Sequence, residues 1–132
     1  MQRVWFTGGV LAAAAAAAIC FGAGASLAAG DAAKGKAAFA KQCAIRHTIE
    51  KGDPNRFGPN LFGIVGKKAG AVQEFDYSRA FKSAANWEWS EDALASWIMF
   101  PGVMVPGTAM AIFQGVAEKD RDDIVAYLAS KK

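Results

Sequence analysis

In the stretch QCAIRHT, residues 42–48, a cysteine and a histidine stand four places apart, with an arginine directly before the histidine. A sulfur nucleophile and an imidazole on one turn of chain suit covalent anchoring and metal ligation from neighbouring atoms. The spacing is that of C-x-x-C-H, the attachment signature of c-type haem, but the second cysteine is absent and Arg46 occupies its place. On this reading Cys43 forms one thioether to a porphyrin vinyl, His47 supplies an iron ligand, and the vinyl facing Arg46 stays unreacted.

His47 is the only histidine in the chain. A lone histidine is more often a surface or core residue than a ligand, and its place beside Cys43 is what favours ligation. Met110 stands in VPGTAM, where a proline and a glycine fix a loop that presents its side chain. Elsewhere a methionine is an ordinary gap-filler in a core. A thioether sulfur paired with an imidazole closes an iron in six-coordination and raises its potential, so such an iron transfers electrons rather than binding substrates.

The elements that must position these residues begin after a targeting segment. Arg3 gives a short positive start, residues 10–21 are an Ala-rich apolar run, and GAGASLAAGD offers small residues to a signal peptidase after Ala28 or Ala29. Residues 1–28 are therefore expected to be a signal peptide and 29–132 a single domain, exported to the periplasm. Gly8, Gly9 and Gly22 bound the apolar run, which falls short of the ~20 residues a membrane span needs. Cys20 follows the bulky Ile19, which argues against lipidation.

Removal of the leader leaves roughly a hundred residues, enough for one modest core. It also takes Arg3 from a net charge of +3, so the mature chain is nearly neutral and nucleic acid is not indicated as a partner. Cys43 becomes the only cysteine, so no internal disulfide can form, and a large buried cofactor would supply the missing stabilisation.

Residues 31–42 read as a helix capped by Asp31 and ending just before Cys43. Residues 52–70 are so rich in Gly, Pro and Asn that no period survives, as in a loop wrapped around a cofactor. Residues 78–85 form a short helix. Ser90 opens a better one, with Glu91 and Asp92 in its first turn, the stripe Leu94, Trp97 and Ile98 facing inward, and Pro101 as its stop. Residues 101–115 read as irregular. Residues 118–130 form a last helix with Ile124, Val125, Tyr127 and Leu128 on its apolar face. No strand signal competes, so the fold class is all-α, three to five helices with long loops.

In order along the chain stand GDAAKGKAAFAKQC, the His47 turn, HTIEKGDPNRFGPNLFGIVGKKAG, FDYS, WSEDAL, P-x-x-x-V-P-G-T-x-M and DIVAYL. In these segments the sequence resembles the class I c-type cytochromes, most closely the soluble periplasmic carriers of the cytochrome c2 and mitochondrial cytochrome c type. The resemblance implies one haem c per chain, His47 and Met110 as axial ligands and Cys43 as the anchor. It implies a Pro59 carbonyl accepting the His47 ring N–H, which fixes the tautomer. Tyr77 and Trp89 would contact the buried propionate, with Lys67 nearby in place of an arginine. Gly35 and Phe39 would meet Tyr127 and Leu128 where the terminal helices cross.

The sequence departs from the family pattern at several points. One base change separates a TGC cysteine codon from a CGC arginine codon, so a recent mutation, an engineered change or a sequencing error stands beside a long-standing variant as the origin of Arg46. Trp97 takes the place of an aromatic, usually tyrosine, that bonds the methionine sulfur, which leaves that bond open. MAIFQG is one residue longer than the usual spacing from the methionine to the glycine. Gly102, Val103 and Ala109 stand where lysines are common, while Lys51, Arg56, Lys67 and Lys68 remain. With Val103, Met104, Val105 and Ile112 the Met110 loop is apolar, which shifts docking from electrostatic steering towards apolar contact.

The expected function is therefore a soluble, monomeric one-electron carrier between redox proteins, membrane-bound respiratory or photosynthetic complexes among them. It would have no enzymatic activity of its own and no stable membrane insertion after cleavage. Two alternatives stay open: a haem protein with an open iron that binds small ligands, and a homologue that never matures with haem.

Overall fold

A computed structural model describes residues 30–113 and 115–132 of the chain. The expected signal peptide lies outside the described residues. Among the described residues five α-helices and one 3₁₀ turn follow in order: α1 Ala32–Gln42, α2 Arg79–Ala84, α3 Glu91–Met99, α4 Pro101–Met104, the turn Ala109–Ile112 and α5 Glu118–Ser130. Among the described residues no strand forms, and extended pairing is limited to an isolated bridge between Lys68 and Glu88. The fold is the all-α class expected.

Three helices start where a side chain satisfies the first free backbone N–H groups. The Asp31 carboxylate accepts from Ala33 N and Lys34 N, the Ser78 hydroxyl from Phe81 N and the Ser90 hydroxyl from Ala93 N. α1 and α5 pack across one another through Gly35, where an added Cβ would strike the main-chain oxygen of Asp123 and come within 2.8 Å of Tyr127 Cβ. One turn on, the Phe39 and Tyr127 rings meet edge to face at 5.5 Å. Ile124, Val125, Tyr127 and Leu128 are all buried, as the stripe predicted.

The reading of the stretch after Pro101 as irregular needs correction. α3 ends before Pro101, as expected, but Pro101 is also the first residue of α4, so 101–113 is a short helix, a turn and a 3₁₀ turn rather than wholly irregular chain. Proline lacks the N–H that a first helical residue would leave unpaired anyway, so one residue ends one helix and begins the next. The loop 52–70 holds no helix and is tied down by side chains. Asn60 Nδ2 donates to Thr48 Oγ1 at 2.9 Å, to Glu50 O at 2.9 Å and to Asp53 O at 3.1 Å.

Candidate functional site

The C-terminus of α1 carries the first functional side chains. Its C-cap is Cys43, whose carbonyl accepts from Arg46 N at 2.9 Å and His47 N at 3.0 Å, so one tight turn presents Cys43, Arg46 and His47 together. The loop that follows returns to this turn. Gly58 N donates to Arg46 O at 2.8 Å, and the His47 Nδ1–H donates to Pro59 O at 2.8 Å. A carbonyl can only accept, so the proton is on Nδ1 and Nε2 carries the ring's lone pair. Gly58 lies flat against the imidazole, since an added Cβ would fall within 2.7 Å of both ring nitrogens.

Burial holds the His47 pKa below its ordinary value; the Pro59 bond opposes the shift and the Arg46 charge adds to it. The ring is thus neutral and basic at Nε2, as a ligand must be. The Cys43 thiol is pushed up to about 11 by burial, against the pull of the Arg46 cation. In the folded chain it is a protonated thiol rather than a nucleophile.

Met110 enters from the 3₁₀ turn, at the end of the loop that Gly107 bends with φ 82°. Its sulfur accepts the Trp97 Nε1–H at 3.0 Å. The bond left open by the exchange of tyrosine for tryptophan is made, because the indole carries an N–H donor of its own and Trp97 presents it to the sulfur. Trp97 is anchored in turn by an aromatic cluster, with ring centroids 5.4 Å from Phe81 and 5.6 Å from Trp89.

Cys43, His47, Pro59, Tyr77, Trp89 and Met110, the six residues singled out from the sequence, all line one cavity of about 500 Å³. Most of the rest of its wall is apolar, including Phe39, Leu61, Ile64, Phe81, Leu94, Ile98 and Leu128. The Tyr77 hydroxyl accepts from Val72 N at 3.2 Å, and its ring stacks on Phe81 at 5.0 Å. Lys67 is beside Trp89 only through the backbone, Trp89 N donating to Lys67 O at 2.9 Å. Its ammonium lies 3.4 Å from Phe62 O, and it is not among the cavity's lining residues.

The sequence reading passed over Gly58, Phe81 and Phe113, which also line the cavity. Only Gly58 left a trace, as part of the Gly-Pro pair in the loop. At the cavity's mouth Ile45, Phe57 and Ile112 are 69%, 88% and 82% exposed, and Val103 is 78% exposed, whereas Val105 is buried. The apolar character assigned to the Met110 loop is therefore mostly on the surface, with Val105 as its inward member.

The cavity fits a flat, largely apolar metal cofactor. It offers one imidazole nitrogen and one thioether sulfur, a pair that suits iron. Among the described residues no group of three or more His, Cys, Asp or Glu could hold a metal ion. The Cys43 thiol stands in the same wall, where a tether to such a group would attach, and the apolar remainder suits a porphyrin face.

Comparison with known proteins agrees with this geometry. Residues 32–132 match the model of a family described as cytochrome c. The chain is 40% identical over 99 residues to a cytochrome c of Stellaria longipes, covering 75% of this chain and 91% of that protein. It is 42% identical over 103 residues to a cytochrome c of Gibberella zeae, covering 77% and 95%. A cytochrome c homolog of Bradyrhizobium diazoefficiens is 45% identical over 96 residues, covering 71% of this chain and 51% of the homolog.

Proposed function

The chain belongs to the cytochrome c family, whose cofactor is haem c, and from that premise we propose that it carries single electrons on one haem ligated by His47 and Met110 and tethered by Cys43 alone. Bound haem supplies a one-electron couple at its iron. The chain's residues set that couple's surroundings. Pro59 holds the imidazole tautomer with Nε2 free, and Trp97 holds the Met110 sulfur through its N–H. The aromatic cluster and the apolar wall exclude water, which favours the less charged ferrous state. The observation that carries this reading is that His47, Met110 and Cys43 all line one apolar cavity.

In this proposal Arg46 stands where a second thioether would form, and residues 1–28 are a signal peptide that delivers the carrier to the periplasm. Its partners are redox proteins, among them membrane-bound respiratory or photosynthetic complexes, met by the exposed apolar mouth with less help from charge than a lysine ring would give.

The test is to produce the full chain together with a cytochrome c maturation system. Mass spectrometry is expected to show one haem adduct on a chain beginning near Ala29 or Gly30. The haem should survive acid-acetone extraction. The reduced α band should lie to the red of a two-thioether cytochrome, since one vinyl still extends the conjugation, and Arg46→Cys should move it back while raising holoprotein yield. A far-red sulfur-to-iron band in the oxidised protein would support Met110 ligation; its absence would favour an open iron. Extractable haem would overturn the tether, and a chain without haem would overturn the function.

A further inference from the structure

Arg46 and Phe113 are far apart in sequence, yet the Arg46 guanidinium carbon lies 5.4 Å from the centroid of the Phe113 ring. That distance is within the range of a cation–π interaction, for which arginine is the commoner cation. Both side chains line the large cavity, and both line a crevice of about 20 Å³ that His47, Met110 and Ile98 also share. Among the described residues no carboxylate pairs with Arg46, so the ring face is the partner its charge has.

Each member of the pair is tied by backbone to a candidate ligand. Arg46 is in the turn that Cys43 O closes on His47, and Gly58 N, from the residue packed on the imidazole, donates to Arg46 O. Phe113 N donates to Met110 O at 3.0 Å, closing the 3₁₀ turn that presents the sulfur. A contact between these side chains therefore joins the His47 turn to the Met110 turn.

We infer that Phe113 is a positioning residue for Met110, holding the Met110 turn against the His47 turn through the Arg46 guanidinium and so supplying non-covalently part of the closure that a second thioether would have reinforced. This rests on the ligation reading above.

The experiment is a double-mutant cycle on the haem-loaded protein, with Phe113→Leu and Phe113→Trp made both in the parent and in Arg46→Gln. Leucine keeps the apolar contact and removes the π face, whereas tryptophan keeps the face. Two quantities are read: the affinity of the ferric protein for imidazole, which competes with the Met110 sulfur, and the thermal midpoint. With Arg46 present, Phe113→Leu is expected to raise imidazole affinity by roughly two- to fivefold, and Phe113→Trp to leave it at the parent value or below. With Arg46→Gln, the leucine and tryptophan variants should differ little. Equal effects of Phe113→Leu in both backgrounds would overturn the proposal. So would coupling in the thermal midpoint with no change in imidazole affinity, which would make the contact structural only. A parent protein without the sulfur-to-iron band would instead sink the ligation reading, while the thermal cycle would still report whether the two side chains interact.

Discussion

Trp97 Nε1–H donates to the Met110 sulfur at 3.0 Å, and the indole that makes this bond is fixed in the buried cluster of Phe81, Trp89 and Trp97. A donor at the sulfur withdraws electron density that the ferric iron needs more than the ferrous. The bond should therefore raise the reduction potential of a Met110-ligated haem. Trp97→Phe keeps a ring in the cluster and removes the donor. A neutral hydrogen bond is worth about 1 kcal/mol, so the potential should fall by up to roughly 40 mV for one electron. Redox titration of the two proteins checks this, and a potential that rises would show the bond acting in the opposite sense.

His47 gives the stability of the protein an acid limb whose direction follows from its environment. Its folded pKa is lowered from 6.5, chiefly by burial, so the unfolded chain takes up the proton first. The contribution of the neutral ring is complete above about pH 6.5 and is lost as the pH falls below it. Iron on Nε2 would compete with the proton and act in the same direction. Because the chain has one histidine, a fall in the guanidinium midpoint that begins near pH 6.5, above the carboxylate range, reports this ring. A midpoint that stays level or rises between about pH 7 and 5.5 would contradict the assignment.

How far the sequence could be read depended on the reach of the interaction concerned. The caps at Asp31 and Ser90 pair a side chain with a backbone N–H two or three residues on, so local spacing sufficed. The Cys43–His47 turn is local too, and its convergence with Pro59, Tyr77, Trp89 and Met110 in one cavity was legible through the order of segments. Pro101 was legible as a stop, but the helix it begins was not, because a residue lacking an N–H both terminates and initiates helices. The Arg46–Phe113 contact left no mark in either segment, since a ring in an aperiodic loop has no pattern that predicts which face meets it. Lys67 lies beside Trp89 along the backbone, but which way its ammonium turns is decided by Phe62 O, a group that no motif advertises.

The crossing of α1 and α5 should be sensitive to a single methyl group. Gly35→Ala places a Cβ against the main-chain oxygen of Asp123, and backbone there cannot swing aside as a side chain would. Overpacking of this kind costs roughly 1–3 kcal/mol, a loss of several degrees in thermal midpoint for a domain of this size. Gly35 is not among the cavity's lining residues, so the absorption spectrum of the loaded protein should be unchanged. A spectral change with no loss of stability would mean that the crossing positions the site rather than the fold.

Gly58 should show the reverse pattern. Its missing side chain makes room for the imidazole, and a Cβ at this position would come within 2.7 Å of both ring nitrogens. Gly58→Ala is therefore expected to push His47 away from Pro59 O, loosen the 2.8 Å bond that orients the ring, and reduce ligation at Nε2. In the loaded protein this should appear as a larger high-spin fraction in the oxidised spectrum and a lower holoprotein yield, with roughly 1–3 kcal/mol lost in stability. Gly52→Ala is the control. Gly52 has φ 83° and nothing within 4 Å of an added Cβ, so its substitution should cost about 1–2 kcal/mol through backbone strain alone. Equal spectra for the two variants would mean that the His47 ring accommodates the extra methyl and that Gly58 serves the loop rather than the ligand.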